Sequence, residues 1–136
     1  MSKRILKHPD KTASTGAYSA GVESDGWVYI SGHASIDMTT GKVIPGSVRE
    51  ETERTLAHVG KVLAEAGCTF ADVVKCTCHL SNIADFDEFN RAYAAFFAKD
   101  PPARTTVQSV LWNNLKVEID AIARVPRTKS RAKAPK

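Results

Sequence analysis

Two side chains near the C-terminal end of the chain could do chemistry together: the guanidinium of Arg104 and the carboxylate of Glu118. Both lie in residues 101–123, PPARTTVQSVLWNNLKVEIDAIA. The alternation in 104–110 is that of a strand. In 116–122 the apolar Val117, Ile119 and Ala121 share one face, while Glu118, Asp120 and Ile122 share the other. Polar residues Trp112, Asn113 and Asn114 lie between, so the stretch reads as a hairpin that brings cation and carboxylate near each other. Such a pair is either a surface ion pair or an anion clamp beside a general base. On spacing alone the ion pair is the commoner outcome, because charge pairs are many and sites few.

The remaining elements must position this stretch. Residues 3–6 read as a short strand and 8–16 as a polar loop. Residues 18–23 and 27–31 read as a hairpin around Ser24, Asp25 and Gly26, where Asp-Gly supplies positive φ. A Gly- and Thr-rich loop covers 32–46. A first helix opens at Ser47, which with Glu50 forms a capping box. Its apolar stripe is Val48, Thr52, Leu56, Val59 and Leu63, and Gly67 stops it. Residues 72–80 read as a strand whose apolar set, Val74, Cys76, Cys78 and Leu80, faces the core. A second helix spans about 85–99, with Asp85 and Glu88 as its capping signal and the pair Pro101-Pro102 as its stop. The order β-β-β-α-β-α-β-β implies an α+β fold, one sheet with two helices on one face. Its other face, with Trp27, Tyr29 and Ile122, would need polar cover or a partner.

The chain has 136 residues and 43% hydrophobic content, which suits one soluble globular domain. Its formal charge is +4, but Arg127, Lys129, Arg131, Lys133 and Lys136 form a basic tail without acids. Removing those five from 19 basic residues leaves 14 against 15 acidic ones, a net charge of −1. A single domain over 1–125 and a basic, disordered tail over 126–136 follow. The body has no basic stripe with interleaved aromatics, which argues against a nucleic-acid partner. No apolar run reaches the ~20 residues of a membrane span, and the N-terminus lacks an apolar signal core, so a cytoplasmic protein without a membrane partner is expected. The three cysteines, Cys68, Cys76 and Cys78, read as free thiols. The run Cys76-Thr77-Cys78-His79 has no second Cys/His cluster to complete four ligands, so no metal site is assigned and buried packing roles are expected.

Several motifs occur in one order: Gly16-Ala17-Tyr18-Ser19; Val28-Tyr29-Ile30-Ser31-Gly32; Phe89-Asn90-Arg91-Ala92-Tyr93 with Phe96-Phe97; Pro102-Ala103-Arg104-Thr105; and Val117-Glu118-Ile119-Asp120-Ala121-Ile122-Ala123. Together they resemble the RidA/YjgF family of imine deaminases, also known as the L-PSP endoribonuclease family. The resemblance covers about residues 16–123. It implies a chorismate-mutase-like fold, a homotrimer with sites at subunit interfaces, and no cofactor. It also implies hydrolytic deamination of reactive 2-imino or enamino acids to 2-oxo acids and ammonia, a metabolite damage-control reaction. In that reading Arg104 clamps the substrate carboxylate and Glu118 positions water and moves protons. Tyr18, Ser31, Gly32, Asn90 and Thr106 complete the binding wall.

The sequence departs from the family pattern in places that bear on substrate. Thr106 stands where the family often has Cys, His33 where it has Gln, and Trp112 where it has Pro. Ala17 replaces a proline, and Glu51 and His58 occupy positions that are often Gln and Asn. His33 and Trp112 are therefore candidate modifiers of the pocket. Two alternatives remain at this point: a deaminase for another enamine, of aminoacrylate or aminomuconate type, and a non-catalytic carboxylate-binding or chaperone-like module. RNA cleavage has no support in the charge pattern.

Overall fold

The computed structural model describes residues 2–127; the expected disorder of the basic tail falls almost wholly on residues 128–136, outside them. Six strands form one mixed sheet: β1 (Arg4–Leu6), β2 (Gly21–Ser24), β3 (Trp27–Ala34), β4 (Val73–Leu80), β5 (Ala103–Gln108) and β6 (Val117–Arg124). Helices α1 (Val48–Glu65) and α2 (Phe86–Ala94) interrupt them in the expected order. Both pack on one face, closing a core that joins Leu56, Val59 and Leu63 to Val28, Ile30, Cys76, Ile119 and Phe89.

Local signals act as the sequence implies. Ser47 Oγ accepts from the Glu50 N–H, and the Glu50 carboxylate accepts from the Ser47 N–H, so the first helix opens with both halves of a capping box. Asp25 (φ 54°) and Gly26 (φ 82°) make the tight turn between β2 and β3. The stripe of α1 is buried from Val48 to Leu63.

The expected terminal hairpin does not form. The strand order is β1-β2-β3-β6-β4-β5, so β4 lies between the two segments that were to pair. β5 runs parallel to β4, placing Arg104 opposite Cys76, and β6 runs antiparallel to β4, placing Glu118 opposite His79. The physical reason lies in β4. Its residues Cys76, Cys78 and Leu80 are fully buried, and an apolar strand is best stabilised with ladder partners on both sides. The turn that looked like a hairpin is a short 3-10 turn, Trp112–Asn114, with Asn113 and Asn114 at φ 53° and 60°. The Ser109 N–H donates to the Leu80 carbonyl and the Ser81 N–H to the Lys116 carbonyl, so this connection is tied to the end of β4.

Three smaller expectations also change. Val74 is 42% exposed rather than in the core, because an irregularity between Val73 and Lys75 shifts the pairing and buries Val73 instead. α2 ends at Ala94, five residues early, and Asp85 makes no side-chain cap bond. The second strand begins at Gly21, leaving Tyr18 in the preceding loop.

Candidate active site

The predicted site residues separate into two groups on opposite faces of the sheet. The first lies under α2. Arg104 and Thr106 alternate with exposed Thr105 and Val107 along β5 and share the face of buried Cys76 and Cys78. The Arg104 guanidinium donates to the Asn90 side-chain carbonyl at 2.8 Å. Its central carbon lies 4.8 Å from the Tyr93 ring centroid, 5.5 Å from that of Phe86 and 5.6 Å from that of Phe89. Among the described residues no carboxylate pairs with it. A planar cation oriented by an amide and held against aromatic faces keeps donors for an incoming anion. The buried Thr106 hydroxyl, on the same face, has no partner among the described residues. The neighbouring thiols are inert, because burial pushes Cys78 up to about 12 and Cys76 in the same direction.

The second group lines a cavity of about 420 Å³ on the other face. Tyr18, Gly32, His33, Trp112 and Glu118 all contribute to its wall. Glu118 stands at the start of β6, opposite Ala34 on β3 and His79 on β4. Gly32 lies so close that a Cβ there would collide with the Glu118 carboxylate. The Ser31 hydroxyl donates to the Ser19 carbonyl at 2.6 Å, tying β3 to the loop that carries Tyr18. Trp112 is 60% exposed at the cavity's rim. Sequence reasoning missed Lys11, Ser14 and Thr15, which line the same cavity from the 7–20 loop; a polar loop without a motif gives no advance signal.

His33 sits behind this wall with two more imidazoles. The His8 ring centroid is 4.9 Å from that of His58 and 6.3 Å from that of His33. Hydrogen-bond logic fixes three neutral tautomers. The Asp10 N–H donates to His8 Nδ1, His8 Nε2–H donates to His58 Nδ1, and His58 Nε2–H donates to the Ile36 carbonyl. His33 Nδ1–H donates to the Ser31 carbonyl. Burial, chiefly, lowers His8 and His33 to about 4 and lowers His58 as well. Neutral imidazoles are therefore the resting state. Cys76 and Cys78 point into the core and His79 to the other face, and among the described residues no cluster of three His, Cys, Asp or Glu could hold a metal ion.

The fold and these residues find relatives. The family model described as Endoribonuclease L-PSP matches residues 9–125. The chain belongs to this L-PSP/RidA family. It is 39% identical to the 2-iminobutanoate/2-iminopropanoate deaminase of Capra hircus over 124 residues, covering 90% of each chain. The corresponding deaminase of Rattus norvegicus is 37% identical over 122 residues, 89% of each. Among solved structures, RidA from the Antarctic bacterium Psychrobacter sp. superposes with a TM-score of 0.83 at 28% identity, covering 90% of this chain and 99% of that one.

Against the RidA pattern, the departures divide between the two faces. Thr106 belongs with Arg104 and Trp112 with Glu118, whereas His33 pairs with core-facing Ile119 and touches the Glu118 cavity from the helix side of the sheet. His58 is part of the imidazole cluster behind the cavity wall. Glu51 is completely buried; it accepts from the Lys116 N–H at 2.9 Å and faces the Lys116 ammonium at 3.4 Å. That contact fixes the residue that leads into Val117 and Glu118. Among the described residues no helix is long and apolar enough to cross a membrane.

Proposed function

We propose that this protein hydrolyses 2-imino and enamino acids to 2-oxo acids and ammonia, at sites shared between subunits of a homotrimer. The observation that carries this reading is the Arg104 guanidinium, held by Asn90 and three aromatic rings without a carboxylate partner among the described residues. Such a group is a preorganised receptor for the carboxylate of an imino acid. The deaminase activity named for the goat and rat relatives supports the same reaction class.

The chemistry needs one proton carrier. Water held by Glu118 attacks the imine carbon, forming a C–O bond while the C=N electron pair moves to nitrogen. Glu118 takes the proton from water and returns it to nitrogen, giving a carbinolamine. A second protonation of nitrogen breaks the C–N bond, ammonia leaves, and loss of the hydroxyl proton completes the 2-oxo acid. An enamine enters the same path after protonation at its β-carbon. The reaction consumes water and needs neither oxidant nor reductant. Tyr18, Ser31, Gly32, Asn90 and Thr106 form the surrounding wall in this reading, with His33 and Trp112 tuning its shape.

Arg104 and Glu118 lie on opposite faces of one chain's sheet, so the reading requires Arg104 of one subunit to meet Glu118 of another. Tyr29 (47% exposed) and Ile122 pair across β3 and β6 on the open face, which supports a subunit contact there. The protein would work in the cytoplasm, in keeping with three cysteines that remain thiols.

Ammonia release from 2-iminobutanoate generated in place tests the reaction. Wild type should accelerate it. Arg104→Ala should lower kcat/KM about 100-fold, the loss expected of a charge-assisted clamp. Glu118→Gln should lower kcat by about 100-fold or more while the fold persists. Binding of 2-oxobutanoate without any acceleration would instead favour a carboxylate-binding module.

A further inference from the structure

The cavity that holds Glu118 also holds a cation. Lys11 projects from the 7–20 loop, which is pinned where the Thr12 and Ala13 N–H groups both donate to the Met38 carbonyl, at 3.0 and 3.3 Å. Its ammonium donates to Thr15 Oγ1 at 2.7 Å and lies 5.0 Å from the Tyr18 ring centroid. Thr15 Oγ1 in turn is 2.6 Å from the Tyr18 hydroxyl. An ammonium can only donate, so the Thr15 oxygen accepts from Lys11, and either hydroxyl can donate in the Thr15–Tyr18 hydrogen bond. Two ammonium N–H groups of Lys11 remain for a ligand, beside the Thr15 and Tyr18 hydroxyls. Among the described residues no carboxylate pairs with Lys11, although Glu118 lines the same cavity. The corner therefore presents an ammonium with no carboxylate on it, in a cavity of about 420 Å³, larger than a three- or four-carbon imino acid needs.

We propose that Lys11, Thr15 and Tyr18 form a second anion subsite, and that the preferred substrate is a 2-imino diacid whose side-chain carboxylate sits there. This rests on the deaminase reading, in which Arg104 of a neighbouring subunit takes the α-carboxylate and Glu118 the water. A substrate with one carboxylate leaves the Lys11 corner hydrated. A five-carbon diacid replaces that water with charge-assisted hydrogen bonds.

The test compares two acids of equal chain length in the full-length protein. Ammonia release is measured with the imino diacid formed from glutamate and the imino monoacid formed from 2-aminopentanoate. Calorimetric binding of 2-oxoglutarate and 2-oxopentanoate runs alongside. Wild type should favour the diacid about tenfold in both readouts, Lys11→Met should remove most of that preference, and Lys11→Arg should retain it. An unchanged diacid-to-monoacid ratio in Lys11→Met overturns the subsite. An equal loss for both acids also overturns it, since Lys11 would then read the α-carboxylate. A Lys11-dependent preference in binding without ammonia release keeps the subsite and refutes the deaminase reading. Turnover of both acids that is indifferent to Lys11 keeps the deaminase reading and refutes the subsite.

Discussion

Gly32 and Glu51 hold Glu118 in place from two directions. Gly32 leaves room for the Glu118 carboxylate that no side chain would leave, and it does so in ordinary extended backbone rather than at positive φ. Gly32→Ala should push the carboxylate aside. A loss of at least tenfold in kcat with a melting temperature within a few degrees of wild type is expected, because the colliding atoms are the free end of a flexible side chain. Steady-state kinetics beside a thermal melt check this, and unchanged kcat would contradict it. Glu51 acts through backbone. Its carboxylate satisfies the Lys116 N–H from a fully buried position, so Glu51→Ala leaves a donor unpaired and should cost about 3 kcal/mol by denaturant titration. Glu51→Gln keeps an acceptor and should recover part of that loss. Neither role was legible in the sequence. Glu51 stood out only as a departure from a family Gln, and the space around Gly32 depends on a partner strand more than eighty residues away.

At the scale of elements, alternation and capping were legible and pairing was not. The capping box at Ser47, the Asp25-Gly26 turn and the buried stripe of α1 are all written in local spacing. Alternation also assigned Glu118 and Val117 to opposite faces correctly. It could not say which strand lies beside which, and the short distance between β5 and β6 in sequence suggested a hairpin that β4 displaces. Consequently Arg104 and Glu118, near neighbours in the expected hairpin, stand two strands apart on different faces. The imidazole cluster is likewise an assembly of distant pieces: His8 from the loop after β1, His33 from β3 and His58 from α1. Asp10, Lys11, Lys61 and Arg54 are the charged groups around it. These histidines are held below their ordinary value near 6.5, His8 and His33 to about 4, so the unfolded chain takes up protons first as pH falls. Their contribution to stability is complete above about pH 6.5 and is lost between there and pH 4. The melting temperature should drop across that window. His33→Gln, which cannot charge, should flatten the drop; an identical slope would show that His33 does not contribute to it.

At the scale of the molecule, the sheet has one face sealed by helices and one left open, and the proposed chemistry needs both. Trp27 stacks under Arg124, with the guanidinium carbon 4.8 Å from the ring, but Tyr29 and Ile122 present apolar surface on the open side. Tyr29→Asp should weaken subunit association, read by light scattering, and abolish deamination together with it. Monomers with full activity would contradict the shared site. The most direct measurement mixes two inactive variants. Arg104→Ala and Glu118→Gln, unfolded and refolded together in equal amounts, can rebuild an intact site only where the two residues come from different chains. In a cyclic trimer with random assembly about a quarter of the sites are restored, so the mixture should recover about 25% of wild-type ammonia release from 2-iminobutanoate. A mixture no more active than either variant alone, from subunits shown to have mixed, would contradict the account.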